Sequence, residues 1–136
     1  GGPFKGRDVL GKHVLLVEDE LNIIEAIRFI LSREGWQVDT HSNGADATEV
    51  IYEMRPDLVV LDVMLPGKSG FDILEELRGN ADTVDLPVLM LTARGQKRDR
   101  EMAEKAGVNR FMTKPFSNKE VLTAVRDLLY VHEHGV

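Results

Sequence analysis

The run LVVLDVM, Leu58 to Met64, limits the possible folds more than any other stretch of this chain. It is apolar at alternate and intervening positions alike, so a strand formed from it must be covered on both faces, and such a strand belongs inside a parallel sheet. Asp62 is the exception. Burying a carboxylate without a partner costs several kcal/mol, on the order of the transfer penalties for charged groups. The fold must therefore bring compensating groups to Asp62 from elsewhere. Directly behind it, Pro66, Gly67 and Gly70 turn the chain away.

From Lys12 onward, short apolar runs alternate with helical spacings. HVLLV, 13–17, is the first run; Leu21, Ile24, Ile27 and Leu31 then recur at helical spacing up to a stop at Gly35. WQVDT is a weaker strand, followed by Ala47, Val50, Ile51 and Met54 on one helix face. After LVVLDVM and its turn, Ser69 is the expected N-cap of a helix carrying Phe71, Leu74 and Leu77. Pro87 opens the strand PVLMLTA, and GQKRDREMAEKAG is a fourth helix whose apolar stripe is only Met102, Ala103 and Ala106. The strand RFMTK ends at Pro115, and SNKE has the spacing of a capping box between Ser117 and Glu120. Val121, Leu122, Val125, Leu128 and Leu129 then form a strongly amphipathic last helix.

This alternation predicts an α/β domain: a doubly wound, five-stranded parallel sheet with five helices on its two faces, because each crossover is right-handed. The flavodoxin-like order of such a sheet is 2-1-3-4-5, with the ligand site beyond the carboxyl ends of strands 1 and 3, where the winding reverses. The domain is expected over 12–131, with a flexible Gly-rich tail or expression remnant at 1–11 and a short tail at 132–136.

A chain of 136 residues is one domain on size and buries about two-thirds of its unfolded surface. It has no cysteine, which excludes disulfides and thiolate metal sites. Its net charge of −6 argues against direct nucleic-acid binding and against an anionic membrane surface. No apolar run approaches the ~20 residues that span a bilayer, and no signal peptide is evident. A soluble, cytoplasmic protein is expected.

Five polar groups fall at the predicted ligand edge. Glu18 and Asp19 follow the first strand, Asp62 ends the third, Thr92 the fourth and Lys114 the fifth. Each has an ordinary explanation when taken alone: acids after a strand commonly cap the next helix, Thr92 suits a strand, and Lys114 suits solvent. Their joint placement at one sheet edge does not.

The segments LLVEDE, LDVMLPGKSGFDIL, LMLTAR and FMTKPF, in this order, resemble the CheY-like receiver domain of two-component response regulators. The likeness covers roughly Lys12 to Val131. It implies that Asp62 is the phosphoacceptor, taking a phosphoryl group from a sensor histidine kinase or a histidine phosphotransfer protein. It places Glu18, Asp19, Asp62 and the Met64 backbone carbonyl around Mg²⁺, with Mn²⁺ as an alternative, and gives Thr92 and Lys114 to the phosphoryl oxygens. Cations on either side are then expected to lower the Asp62 pKa. Thr92 and Phe111 are the implied switch pair, which alters the surface of the fourth helix, fifth strand and fifth helix for a downstream protein or a fused effector. Met64 and Arg94 flank the site as rate-tuning positions, and Lys114-Pro115 is expected to be cis. Such a protein is a signalling phosphoacceptor that catalyses its own phosphorylation and dephosphorylation, not an enzyme with a separate substrate.

Two departures qualify the likeness. Positions that form charge pairs across a dimer in many DNA-binding relatives read Asn109, Arg110 and Ala124, so that dimer is not expected. Phe111 keeps an aromatic ring but lacks the commoner hydroxyl. Among other functions, a haloacid-dehalogenase-type hydrolase needs a second acid where Met64 stands, and a flavin carrier needs a phosphate-binding loop where Glu18-Asp19-Glu20 would repel phosphate. A pseudo-receiver lacking chemistry usually loses the acceptor or the lysine, and both are present.

Overall fold

The computed structural model of the chain describes residues 11–93 and 95–134, with side chains as far as Val131. The tail expected at 1–11 lies outside the described residues except for Gly11, whose amide donates to the Gly35 carbonyl at 3.2 Å. Strands and helices alternate throughout: β1 His13–Val17, α1 Leu21–Ser32, β2 Gln37–His41, α2 Ala47–Met54, β3 Leu58–Asp62, α3 Gly70–Arg78, β4 Val88–Thr92, α4 Lys97–Ala106, β5 Arg110–Thr113 and α5 Asn118–His134. The last helix continues past the Val131 boundary drawn from the sequence and ends at His134.

All four ladders are parallel, in the order β2-β1-β3-β4-β5, as the doubly wound pattern requires. The central strands β3 and β4 are buried at every residue, whereas the edge strands β2 and β5 are only partly covered. Period-two alternation divides the core. Val14, Leu16, Leu58, Val60, Leu89 and Leu91 face α1 and α5, while Leu15, Val17, Val59, Leu61, Val88 and Met90 face α2, α3 and α4. Each fully buried aliphatic side chain contributes about 1.5–3 kcal/mol of transfer free energy, so the two layers together outweigh any single polar contact.

Helix faces follow the sequence with local corrections. α5 buries Val121, Val125 and Leu129 as expected, and adds Ala124. α1 packs through Ile27, Ile30 and Leu31, while Leu21 at its first turn is 65% exposed. In α3, Ile73 joins Leu74 and Leu77 in the core and Phe71 is only half-buried. α4 departs most: Met102 is 44% exposed, and the buried residues are Asp99 and Ala103. β3 ends at Asp62 rather than Met64, since the Gly70 amide closes on the Val63 carbonyl at 2.9 Å and folds the start of α3 back against the strand. Gly70 permits this approach; a Cβ there would collide with the Asp62 carbonyl oxygen. Both helix starts read from sequence are formed: Ser69 Oγ accepts the Asp72 amide, and Ser117 and Glu120 cap reciprocally at 3.0 and 2.8 Å. Among the described residues, no helix is long and apolar enough to cross a membrane.

Candidate functional site

Strand register alone brings the polar residues together. Val17 pairs with Leu61, so the next residues along, Glu18 and Asp62, leave the sheet side by side. Asp62 pairs with Leu91 and Thr92 with Thr113, which sets Thr92 and then Lys114 one step further along the same edge. Glu18 is fully buried, and its Oε2 accepts the backbone amides of Asp19 at 3.1 Å and Glu20 at 3.0 Å. Asp19, directly beyond, is exposed. Carboxylate oxygens of Glu18, Asp19 and Asp62 all lie within 4.8 Å of one another.

The Lys114 amine closes this group. Its Nζ lies 3.3 Å from Asp62 Oδ1, 3.2 Å from Glu18 Oε1 and 3.2 Å from Glu20 Oε1. The contact with Glu18 is an ion pair without hydrogen-bond alignment, so Glu18 Oε1 is buried with no hydrogen bond. The Lys114 amide donates to the Thr92 carbonyl at 2.7 Å, and the Lys114-Pro115 bond is cis, as expected. The Met64 amide points at Asp62 Oδ1 from 3.4 Å, while its side chain is 65% exposed beside the pocket.

Burial dominates the electrostatics. It pushes the Glu18 carboxyl up to about 7; the Asp62 charge adds to this, against the pull of the Glu20 amide and of Lys114. Asp62 is likewise raised by burial, although Lys114 and the Met64 amide draw it down. The lowered Asp62 pKa expected from cations on either side presupposes a bound ion; with Lys114 as the one cation beside it, the lost hydration outweighs the amine. Burial also opposes the charge on Lys114, but the Asp62 and Glu18 carboxylates outweigh it and hold the amine above its ordinary range.

Three converging carboxylates, one with a buried oxygen that makes no hydrogen bond, form an all-oxygen donor set that suits a hard divalent cation. Thr92, 2% exposed, stands beside it at the end of β4. Phe111 lies back toward the start of β5, half-buried, with the Arg100 guanidinium 4.9 Å from its ring centre. Arg94 lies outside the described residues.

A family model for the response regulator receiver domain matches residues 14–126. The chain belongs to that family. This CheY-like receiver is similar to a Chloroflexus aurantiacus protein assigned as a response regulator, with 32% identity over 87% of this chain and 97% of the other and a TM-score of 0.82. It is also similar to the receiver domain of a signal transduction histidine kinase from Syntrophus aciditrophicus, with 31% identity, 87% and 89% coverage and a TM-score of 0.80. A third structure, the receiver domain of a Pseudomonas aeruginosa sensor histidine kinase, carries a magnesium ion in its active-site cleft; it shares 28% identity over 88% and 98% of the two chains, with a TM-score of 0.80.

Sequence reasoning missed Glu20 as a partner of Lys114, because an acid at the start of a helix reads as a cap. It also missed the role of Asn109. Asn109 Oδ1 accepts from Val88 N and from Arg78 Nη2, both at 2.8 Å, and so ties the start of β5 to β4 and to α3.

Proposed function

We propose that this receiver accepts a phosphoryl group on Asp62 from a phosphohistidine donor, in a reaction that depends on a divalent ion. The observation that carries the reading is the buried Asp62 with the Lys114 amine 3.3 Å away and carboxylate oxygens of Glu18 and Asp19 within 4.8 Å. Glu18, Asp19, Asp62 and the Met64 carbonyl are the groups that would hold Mg²⁺ or Mn²⁺, and the ion when bound neutralises carboxylate and phosphoryl oxygens. The chain's residues supply the rest. An Asp62 carboxylate oxygen attacks phosphorus; the new P–O bond forms as the P–N bond breaks, and the departing imidazole nitrogen keeps the electron pair and takes up a proton. Lys114 offers a fixed cation and Thr92 a hydroxyl to phosphoryl oxygens, so catalysis rests on positioning and charge stabilisation.

The phosphoryl group adds charge and acceptor oxygens that draw Thr92 inward and give the Phe111 ring room to turn. α4 has the least apolar anchoring and a charged outer surface, so the response passes to the face of α4, β5 and α5. Donor docking falls to α1 and the β5–α5 loop, where a depression of about 450 Å³ beside Lys114 is lined by Asn22, Ile23, Ala26 and Phe116. The exposed Met64 side chain shields the site from attacking water and lengthens the life of the phosphorylated form. The test is phosphorylation by a small phosphodonor with Mg²⁺: one phosphoryl group per chain, absent in Asp62→Asn and in chelator. Multiple turnover of a phosphoester without a stable adduct would point to a hydrolase instead.

A further inference from the structure

The turn between β2 and α2, residues 42–46, carries none of the groups assigned above, yet it ties together both segments that form the acidic pocket. Just before it, at the end of β2, the His41 carbonyl accepts the Glu18 amide at 3.0 Å. At its centre, the Gly44 amide donates to the Pro66 carbonyl at 2.8 Å, two residues past Met64. The approach is close enough to require glycine: a Cβ on Gly44 would collide with the Lys68 carbonyl oxygen. The turn keeps its own shape through Asn43 Oδ1, which accepts the Ala45 amide at 2.7 Å, and through the His41–Asp46 contact at 2.6 Å. A further tie comes from the helices behind it. Glu76 of α3 takes Lys68 Nζ at 2.7 Å on one oxygen and the Thr48 hydroxyl of α2 at 2.5 Å on the other.

The base of the loop after β3 is closed on the sheet by the Gly70–Val63 bond, so only its tip needs outside support. We propose that the β2–α2 turn is a brace for the divalent-ion pocket, with Gly44 and Lys68 as positioning residues that fix the Met64 carbonyl relative to Glu18, Asp19 and Asp62. The inference rests on reading that pocket as an ion site. Mg²⁺ demands near-ideal octahedral geometry, whereas Ca²⁺ tolerates irregular ligation, so a displaced carbonyl penalises Mg²⁺ selectively.

Mg²⁺ and Ca²⁺ affinities of the full chain are to be measured by titration calorimetry, beside thermal unfolding in chelator. Gly44→Ala weakens Mg²⁺ binding by about tenfold, the scale of losses seen when groups supporting metal ligands are removed, and weakens Ca²⁺ binding much less. Lys68→Met shifts the ratio in the same direction by a smaller factor, and Lys68→Arg, which can still reach Glu76, restores it. Should Gly44→Ala fail to fold, the two Lys68 variants decide. An unchanged Mg²⁺-to-Ca²⁺ ratio in the folded variants overturns the brace while leaving the ion site standing. Wild-type protein that binds no Mg²⁺ overturns the ion site itself, and the brace with it.

Discussion

Lys114 and Lys68 each hold a carboxylate on one side of the loop that follows β3, and the two clusters differ in almost everything but composition. Lys114 meets Glu18 and Asp62 where the side chains are 11%, 0% and 3% exposed. Lys68 meets Glu76 where they are 27% and 42% exposed. Hydrogen bonds from Lys68 and Thr48 hold the Glu76 carboxyl below its usual range. Burial instead holds Glu18 and Asp62 above theirs. The same ion-pair chemistry is thus settled in one place and under electrostatic stress in the other. An exposed pair can serve as a clip; a buried group with more negative than positive charge is a place for a cation and a phosphoryl group to bind.

Removing the two lysines breaks the comparison most directly. Lys114→Met is expected to slow phosphorylation by a small phosphodonor by about 10²–10³, the cost of losing one charge-stabilising donor. Lys68→Met is expected to leave the rate at saturating Mg²⁺ nearly unchanged. Equal losses in the two variants would erase the distinction between catalytic and supporting lysine.

Acidity sharpens it next. Glu18 is raised from 4.5 to about 7, so the folded chain binds a proton more tightly than the unfolded chain across that interval. Stability without metal is then greatest below the unfolded value and declines as pH rises through about 7. Glu76 acts in the opposite sense: its contribution is present above 4.5 and is lost as pH falls through its depressed folded value. In chelator, thermal unfolding is expected at a lower temperature near about pH 8 than near about pH 5.5, and Glu18→Gln is expected to flatten that slope. Bound ion requires these carboxylates deprotonated, so Mg²⁺ affinity is expected to rise by about tenfold per pH unit for each proton displaced below pH ~7. A pH-independent affinity would mean that the carboxylates are already ionised.

The smallest effect concerns the residue between the clusters. Met64→Asn replaces an apolar side chain with one that can hydrogen-bond water, and is expected to speed decay of the phosphorylated form several-fold without altering Mg²⁺ affinity, because the backbone carbonyl remains. Unchanged decay would remove Met64 from the account of signal lifetime.

The sheet was legible because two-sided burial of LVVLDVM leaves it no place but the centre, and once parallel register is assumed, residues that end neighbouring strands must leave side by side. That logic places Glu18, Asp62, Thr92 and Lys114 together without knowledge of any side-chain conformation. Helix faces were less legible at their ends: Leu21 continues a helical period but stays exposed, and in α4 the short Ala103 buries while the longer Met102 stays out. Residues that act across the fold were hidden. Thr48 occupies a helix-face position indistinguishable by period from a core residue, Glu76 looks like a solvent-facing acid, and only the folded chain brings them to Lys68. The direction of the Asp62 shift without an ion was hidden for a related reason. Sequence reveals which charges are near, whereas the lost hydration that outweighs them depends on packing from all sides.

The most direct test of the central claim is the intact mass of the chain after incubation with Mg²⁺ and acetyl phosphate, with peptide mapping of the product. The account predicts a gain of one phosphoryl group on Asp62, lost in Asp62→Asn and in the presence of chelator. A phosphoryl group on another residue, or an equal gain in Asp62→Asn, would contradict it.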